Sequence, residues 1–160
     1  MKRTIALVGA AALLALGGCS TPTPAPAPPA SSEPPATIEA ELTMNVIVND
    51  DGTVSVTAES NLPDGTELGG TVFEEGAFMA QDPQVLQDGR AEFGPFSDGG
   101  GPLPSGTYDV SVTMPIASNQ PEEVQAIIGN TGENLTGPLV STETITGDAV
   151  VAVNDQLVVP

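Results

Sequence analysis

The chain has 160 residues, which allows one ordinary domain. It carries 3 Lys+Arg against 21 Asp+Glu and no His, for a formal charge of −18, with one Cys and only five aromatic side chains, Phe73, Phe78, Phe93, Phe96 and Tyr108. A His or Cys metal cage, a Ser-His-Asp triad and a Cys-His pair are therefore excluded, and so negative a chain repels phosphate backbones, which excludes nucleic acid as a partner.

The chain starts Met1-Lys2-Arg3, continues with the apolar run Ile5 to Leu16, and reaches Gly17-Gly18-Cys19. A charged start, a short apolar run and small residues have the form of an export signal. The run is about a dozen residues long, short of the roughly 20 that span a bilayer. Leu16-Gly17-Gly18-Cys19 resembles the lipobox of bacterial lipoproteins. The resemblance implies removal of residues 1–18, lipid on Cys19, and a membrane partner held through that lipid. One acyl chain holds a protein only marginally and two or more hold it stably. Ser20 stands where inner-membrane lipoproteins of two-membrane bacteria carry Asp, which points toward outer-membrane sorting. Lipidation would consume the sole cysteine, so the fold is expected to rely on burial and backbone hydrogen bonds alone.

Residues 20–36 contain seven Pro in seventeen positions, with Ala, Ser, Thr and one Glu making up the rest. Such a stretch builds no core and favours extended polyproline II. At about 3.1 Å per residue it reaches on the order of 50 Å. It is expected to be a disordered tether, with 19–36 as lipidated cysteine and linker and 37–160 as the folded domain.

Within 37–160 the dominant period is two. Ile38, Ala40, Leu42, Met44, Val46 and Val48 alternate with polar residues, as in a half-buried strand. Asn49-Asp50-Asp51-Gly52 is a turn cluster, and Val54, Val56 and Ala58 resume the alternation, giving a hairpin. After the turn-rich 61–66, Leu68 to Glu74 is a strand with a bulge expected at Gly69-Gly70. Phe78 to Leu86 is left open between strand and loop because Pro83 interrupts it. Gln87-Asp88-Gly89 turns into a strand over Arg90 to Phe96, and the glycine-rich Ser97–Gly101 leads to the strand of Tyr108, Val110, Val112 and Met114. In 118–129, Ser or Asn as cap, Pro121 in the first turn, Glu122 and Glu123 after it and Gly129 as stop predict a short helix, with Val124, Ile127 and Ile128 on one face. Two final strands are expected near 138–145 and 148–159, with Gly147 between them.

Short strands at near-regular spacing with Gly, Pro, Asn and Asp turns predict an all-β fold, an antiparallel β-sandwich carrying one short helix in a long loop. Gly106-Thr107-Tyr108-Asp109-Val110 resembles the tyrosine corner of immunoglobulin-like domains, with Val110 where antibody domains place a cysteine. That resemblance implies an immunoglobulin-like sandwich whose Tyr108 hydroxyl bonds backbone; the missing disulfide and core Trp exclude the antibody family itself. The segments SNLPDGT, GPFS, PLPSGTYDVSVTMP and QPEEVQAIIGNTGENLTGPLV resemble a group of small exported or lipid-anchored bacterial domains, immunoglobulin-like and without assigned activity. The resemblance covers about 60–155 and transfers no functional residue.

Carboxylates are the only abundant reactive groups. Paired acids act in glycosidases, but Glu74-Glu75 and Glu122-Glu123 are adjacent in sequence, which points them apart on a strand or helix. Calcium suits oxygen ligands, and Asp50 and Asp51 are the candidate ligands, although Ile47 and Ala58 occupy places where an EF-hand needs acids. Asp98 sits in a glycine-rich run that lacks the spacing and Lys of a phosphate loop. Arg90 is the only basic residue after Arg3 and shares a strand face with Glu92. Asn134-Leu135-Thr136 has the form of a glycosylation acceptor.

Without Lys2 and Arg3 the balance is one cation against 21 acids, or −20. Such charge strains the compact state and is relieved by salt, which fits a salty medium or a basic partner. The expected function is a lipid-anchored, extracytoplasmic binding or structural module of the bacterial cell envelope, partnered by an envelope protein or glycan, with no cofactor and no catalysis. The alternatives are a carboxylate-dependent enzyme acting on envelope glycan and a calcium-stabilised adhesion-type module.

Overall fold

A computed structural model of the protein describes residues 36–160. The expected signal, Cys19 and nearly all of the expected tether lie outside them.

The described chain is mostly β with one helix. In order, its elements are β1 (Ile38–Glu39), β2 (Leu42–Val48), β3 (Val54–Ser60), β4 (Glu67–Glu74), β5 (Phe78–Val85), β6 (Arg90–Phe96), β7 (Gly106–Met114), α1 (Glu122–Ile128), β8 (Leu135–Thr136), β9 (Val140–Thr142) and β10 (Ala149–Val159), with a 3-10 turn at Ala117–Asn119 before α1. Five strands form one sheet in the order β5-β4-β7-β10-β9, three form another in the order β2-β3-β6, and β1 pairs in parallel with β8. All pairs in the two larger sheets are antiparallel.

The two sheets share one apolar core. Val54, Val56, Ala58, Phe93 and Phe96 come from the smaller sheet, and Leu68, Val72, Tyr108, Val110, Val112, Met114 and Val151 from the larger. Complete burial of such a side chain contributes about 1.5–3 kcal/mol. Alternation does the sorting: in β3 the residues Val54, Val56 and Ala58 point in while Ser55, Thr57 and Glu59 point out.

Several expectations are met with revised detail. The hairpin at 49–52 forms, with Val48 opposite Val54. Asp88 (φ 50°) and Gly89 (φ 72°) make the two-residue turn between β5 and β6, both in the left-handed region that such a turn requires. Phe78–Val85 is a strand after all; Pro83 is tolerated because β5 lies at the sheet edge. The Gly69-Gly70 bulge is absent, since β4 runs in unbroken register against β5. Gly70 instead admits the Phe93 ring, which would stand 2.7 Å from a Cβ placed there, and the register irregularity falls between β3 and β6 at Val54/Val56. The strand expected from Ile38 to Val48 breaks at Ala40-Glu41, where the Asn61 amide donates to the Glu39 carbonyl at 2.8 Å and its Oδ1 accepts from the Glu41 N–H at 2.8 Å.

The helix is α1, capped by Pro121 without a side-chain bond and ended at Gly129. Neither Ser nor Asn caps it. Val124 and Ile128 are buried, but Ile127 is 50% exposed, so the apolar face is narrower than the spacing suggests. The last two strands are shorter and farther apart than expected, with a structured turn over 143–148 between them.

Candidate functional site

The candidate calcium ligands sit at the tip of the β2–β3 hairpin. Asp51 Oδ1 accepts from the Thr53 N–H at 3.0 Å and from the Thr53 hydroxyl at 2.7 Å, and these bonds hold its carboxyl below the usual carboxylate range. Asn49 donates to the hydroxyls of Thr53 and Ser55, both at 2.9 Å. Donors therefore converge on that carboxylate oxygen, an arrangement that closes a turn. Asp50 is exposed beside it. Among the described residues, no group of three or more Asp, Glu, His or Cys is placed to hold a metal ion.

The paired carboxylates are not brought together. Glu67, at the start of β4, is bonded to Gln120 just ahead of α1, whereas Glu74 and Glu75 lie at the far end of β4. Seven residues at ~3.3 Å each put them about 23 Å from the Glu122-Glu123 end. Glu74 lies against Gly106 and near the Tyr108 phenol. Burial pushes that phenol above its ordinary value, helped by the charges of Glu74 and Asp98. The Tyr108 hydroxyl donates to the Pro104 carbonyl at 2.8 Å, the backbone bond that the tyrosine-corner motif implies. Asp98 closes a tight turn by reciprocal backbone bonds with Gly101. Asn134 is 8% exposed and its amide donates to the Ile127 carbonyl, which leaves that nitrogen enclosed rather than available as an acceptor of glycan.

Arg90 stands on the outer face of the small sheet. Its Nη2 is 2.9 Å from Glu92 Oε1, its Nε donates to the same oxygen at 3.2 Å, and its Nη1 lies 3.8 Å from Glu59. The side chain is about half exposed, so these pairs contribute little stability, about 0–1 kcal/mol each. Beside it lies an open depression of about 570 Å³ lined by Glu41, Thr43, Glu59, Asn61, Asp88 and Arg90. The carboxylates outnumber the one guanidinium, whose donors are already turned to Glu92. The depression offers acceptors and hydroxyls to a cationic or polyhydroxylated ligand, and little to an anion.

Two buried polar residues had no signal in the sequence pattern. Gln120 is 3% exposed; its Oε1 accepts from the Glu67 N–H at 2.8 Å and its Nε2 donates to the Glu67 carbonyl at 3.1 Å, so one side chain imitates a strand partner for β4. Asp148 is also 3% exposed; its Oδ2 accepts from the Ser118 hydroxyl at 3.0 Å, while its Oδ1 has no hydrogen-bond partner. Gln120 fastens the 115–148 segment to β4, and the Ser118–Asp148 bond ties the two ends of that segment together.

Comparison with protein-family models, curated proteins and solved structures finds no match for the chain.

Proposed function

We propose that the chain is a lipid-anchored, extracytoplasmic binding or structural module of the bacterial cell envelope, built on an immunoglobulin-like sandwich and acting without catalysis. The observation that carries the anchor is the placement of the sole cysteine in Leu16-Gly17-Gly18-Cys19, directly after a short apolar run and ahead of a Pro-rich stretch. No described helix is long and apolar enough to cross a membrane.

The immunoglobulin-like assignment is supported by strand order. When the strands are lettered along the chain, β2-β3-β6 falls in the places of A-B-E and β4-β7-β10 in those of C-F-G, with β5 beside β4 as C′. Tyr108 lies near the start of the F-like strand, and buried Val110 follows two residues later. The helix and β8–β9 then form an insertion in the F–G connection.

The binding role is supported by the surface. With a balance of −20 after the signal, nearly all of it carried by 37–160, the domain suits a salty medium or a basic partner.

Membrane fractionation of wild type and Cys19→Ala tests the anchor. Wild type is expected with the membranes and Cys19→Ala in the soluble fraction; membrane retention of Cys19→Ala would overturn the anchor. A melting midpoint that rises with NaCl is expected from the charge, and a midpoint unchanged by salt would remove that argument.

A further inference from the structure

The two open sides between the sheets are finished differently. On one side, β5 and β6 approach each other and are closed: Gly94 donates its N–H to Asp82 Oδ2 at 2.8 Å, and Pro83 and Pro95 remove donors from both strands. Pro on an edge strand blocks further pairing.

On the other side are β2 and β10. β2 is the last strand of its sheet, and β9 covers β10 only at residues 149–151. β2 reads Leu-Thr-Met-Asn-Val-Ile-Val, with neither Pro nor a charge, in a chain otherwise dense in acids. Its core-facing row, set by pairing with buried Ala58, Val56 and Val54, is Met44, Val46 and Val48. Cover thins along that row from Leu42 at 2% exposure to Val48 at 39%. Across the seam, Val153, Asp155 and Leu157 lie opposite buried Val112, Val110 and Tyr108, so all three belong to the core-facing row of β10. Asp155 is exposed all the same. A carboxylate thus stands in an apolar row next to an unpaired strand edge.

We propose that this seam accepts an extended segment of a basic partner protein as an added strand on the free edge of β2. The segment would alternate apolar and polar residues, with Lys or Arg at its centre to meet Asp155 and at its ends to meet Glu39 and Glu41 on one side and Asp50 and Asp51 on the other. Backbone pairing supplies affinity in strand addition and alternate side chains supply specificity. A second copy of this chain fits poorly. Antiparallel pairing of two β2 strands about Asn45 sets Glu39 opposite Asp51 and Glu41 opposite Asn49, and like charges opposite each other destabilise a pair. The partner proposed here rests on the binding role above but not on the anchor, which fractionation reads separately.

The probe is a labelled nine-residue peptide of alternating Val and Thr with Lys at the centre and both ends, titrated into the full chain at low salt. Saturable binding with slowed amide exchange over 42–48 is expected. An analogue N-methylated at alternate residues should bind at least about tenfold more weakly, because it cannot complete a ladder. Asp155→Lys, an exposed change, should weaken the lysine-centred peptide several-fold and favour one centred on Glu. No binding, equal binding of the N-methylated analogue, unchanged exchange over 42–48, no response to Asp155→Lys, or pairing of two copies through this edge in sedimentation would each overturn the proposal.

Discussion

The two ends of the domain are held by different kinds of bond. At the end bearing the 49–52 hairpin, the side-chain bonds of Asp51 with Thr53 and of Tyr108 with Pro104 join sequence neighbours, beside two distant ties, the Leu103 N–H to the Gly52 carbonyl and the Ser105 hydroxyl to the Pro160 carbonyl. At the end bearing the 115–148 insertion, partners are far apart: Gln120 with Glu67, Ser118 with Asp148, Asn61 with Glu39 and Glu41. Much of the first end is set once the chain turns, whereas the attachment of the second to the sheets forms only when distant segments have met. The insertion end is therefore expected to open first, as a unit below global unfolding.

Removing Gln120 should break that contrast most strongly. Gln120→Leu leaves the Glu67 N–H and carbonyl without their side-chain partner and is expected to cost about 2–4 kcal/mol. Hydrogen exchange should quicken over 115–136 while β3 and β7 stay protected; an even loss across the domain would show the ends to be one cooperative unit.

Tyr108→Phe comes next, at about 1–2 kcal/mol in a denaturant titration, because it strands the Pro104 carbonyl. The phenol is neutral when folded and its pKa is raised, so its contribution is complete below the unfolded value near 10 and is lost as pH rises through the folded one. The alkaline limb of a stability–pH curve should therefore flatten in Tyr108→Phe.

The smallest effect sharpens the comparison, because acids of one type serve both ends. Asp51 at the hairpin, and Glu133 and Glu143 in the insertion, are held below their ordinary values: Asp51 chiefly by the Thr53 hydroxyl, Glu133 chiefly by backbone N–H groups at Glu133 and Thr131, and Glu143 chiefly by the Thr146 N–H. Their contribution is present above the unfolded values near 4 and is lost as pH falls through the folded ones. Asp51→Asn should flatten the acid limb without loosening exchange in the insertion, and Glu143→Gln should do so together with faster exchange at Ile145 and Thr146.

A buried carboxyl gives a change of opposite sign. Asp148→Asn keeps an acceptor for Ser118 and removes a carboxylate oxygen that has no partner. A higher melting midpoint is expected; a lower one would show that the amide nitrogen left in place of the oxygen is no better satisfied.

What was legible in the sequence follows the same division. The β2–β3 hairpin and the β5–β6 turn lie within a few residues, and period and turn chemistry are enough to find them; the Tyr108 bond is equally local but follows from the resemblance to the tyrosine corner. The break at Ala40-Glu41 was hidden because its cause, Asn61, lies about twenty residues on. Spacing alone places Ile127 on the same face as Val124 and Ile128 and cannot tell how wide a stripe the sheets will cover. At the candidate sites, Asp51 behaved as turn chemistry suggests and Arg90 met Glu92 as spacing suggests. Asp155 was invisible, since its place in a core-facing row depends on register with β7.

The short β1–β8 pair has a mechanical consequence. Ile38 and Ala40 donate to the carbonyls of Asn134 and Thr136 at 2.8 Å each, and Asn61 grips Glu39 from the other side. Any pull on residue 36 must part these few bonds before load reaches β2 and the core. The entry to the domain is thus a short set of bonds in series with the two larger sheets, expected to part before them under tension.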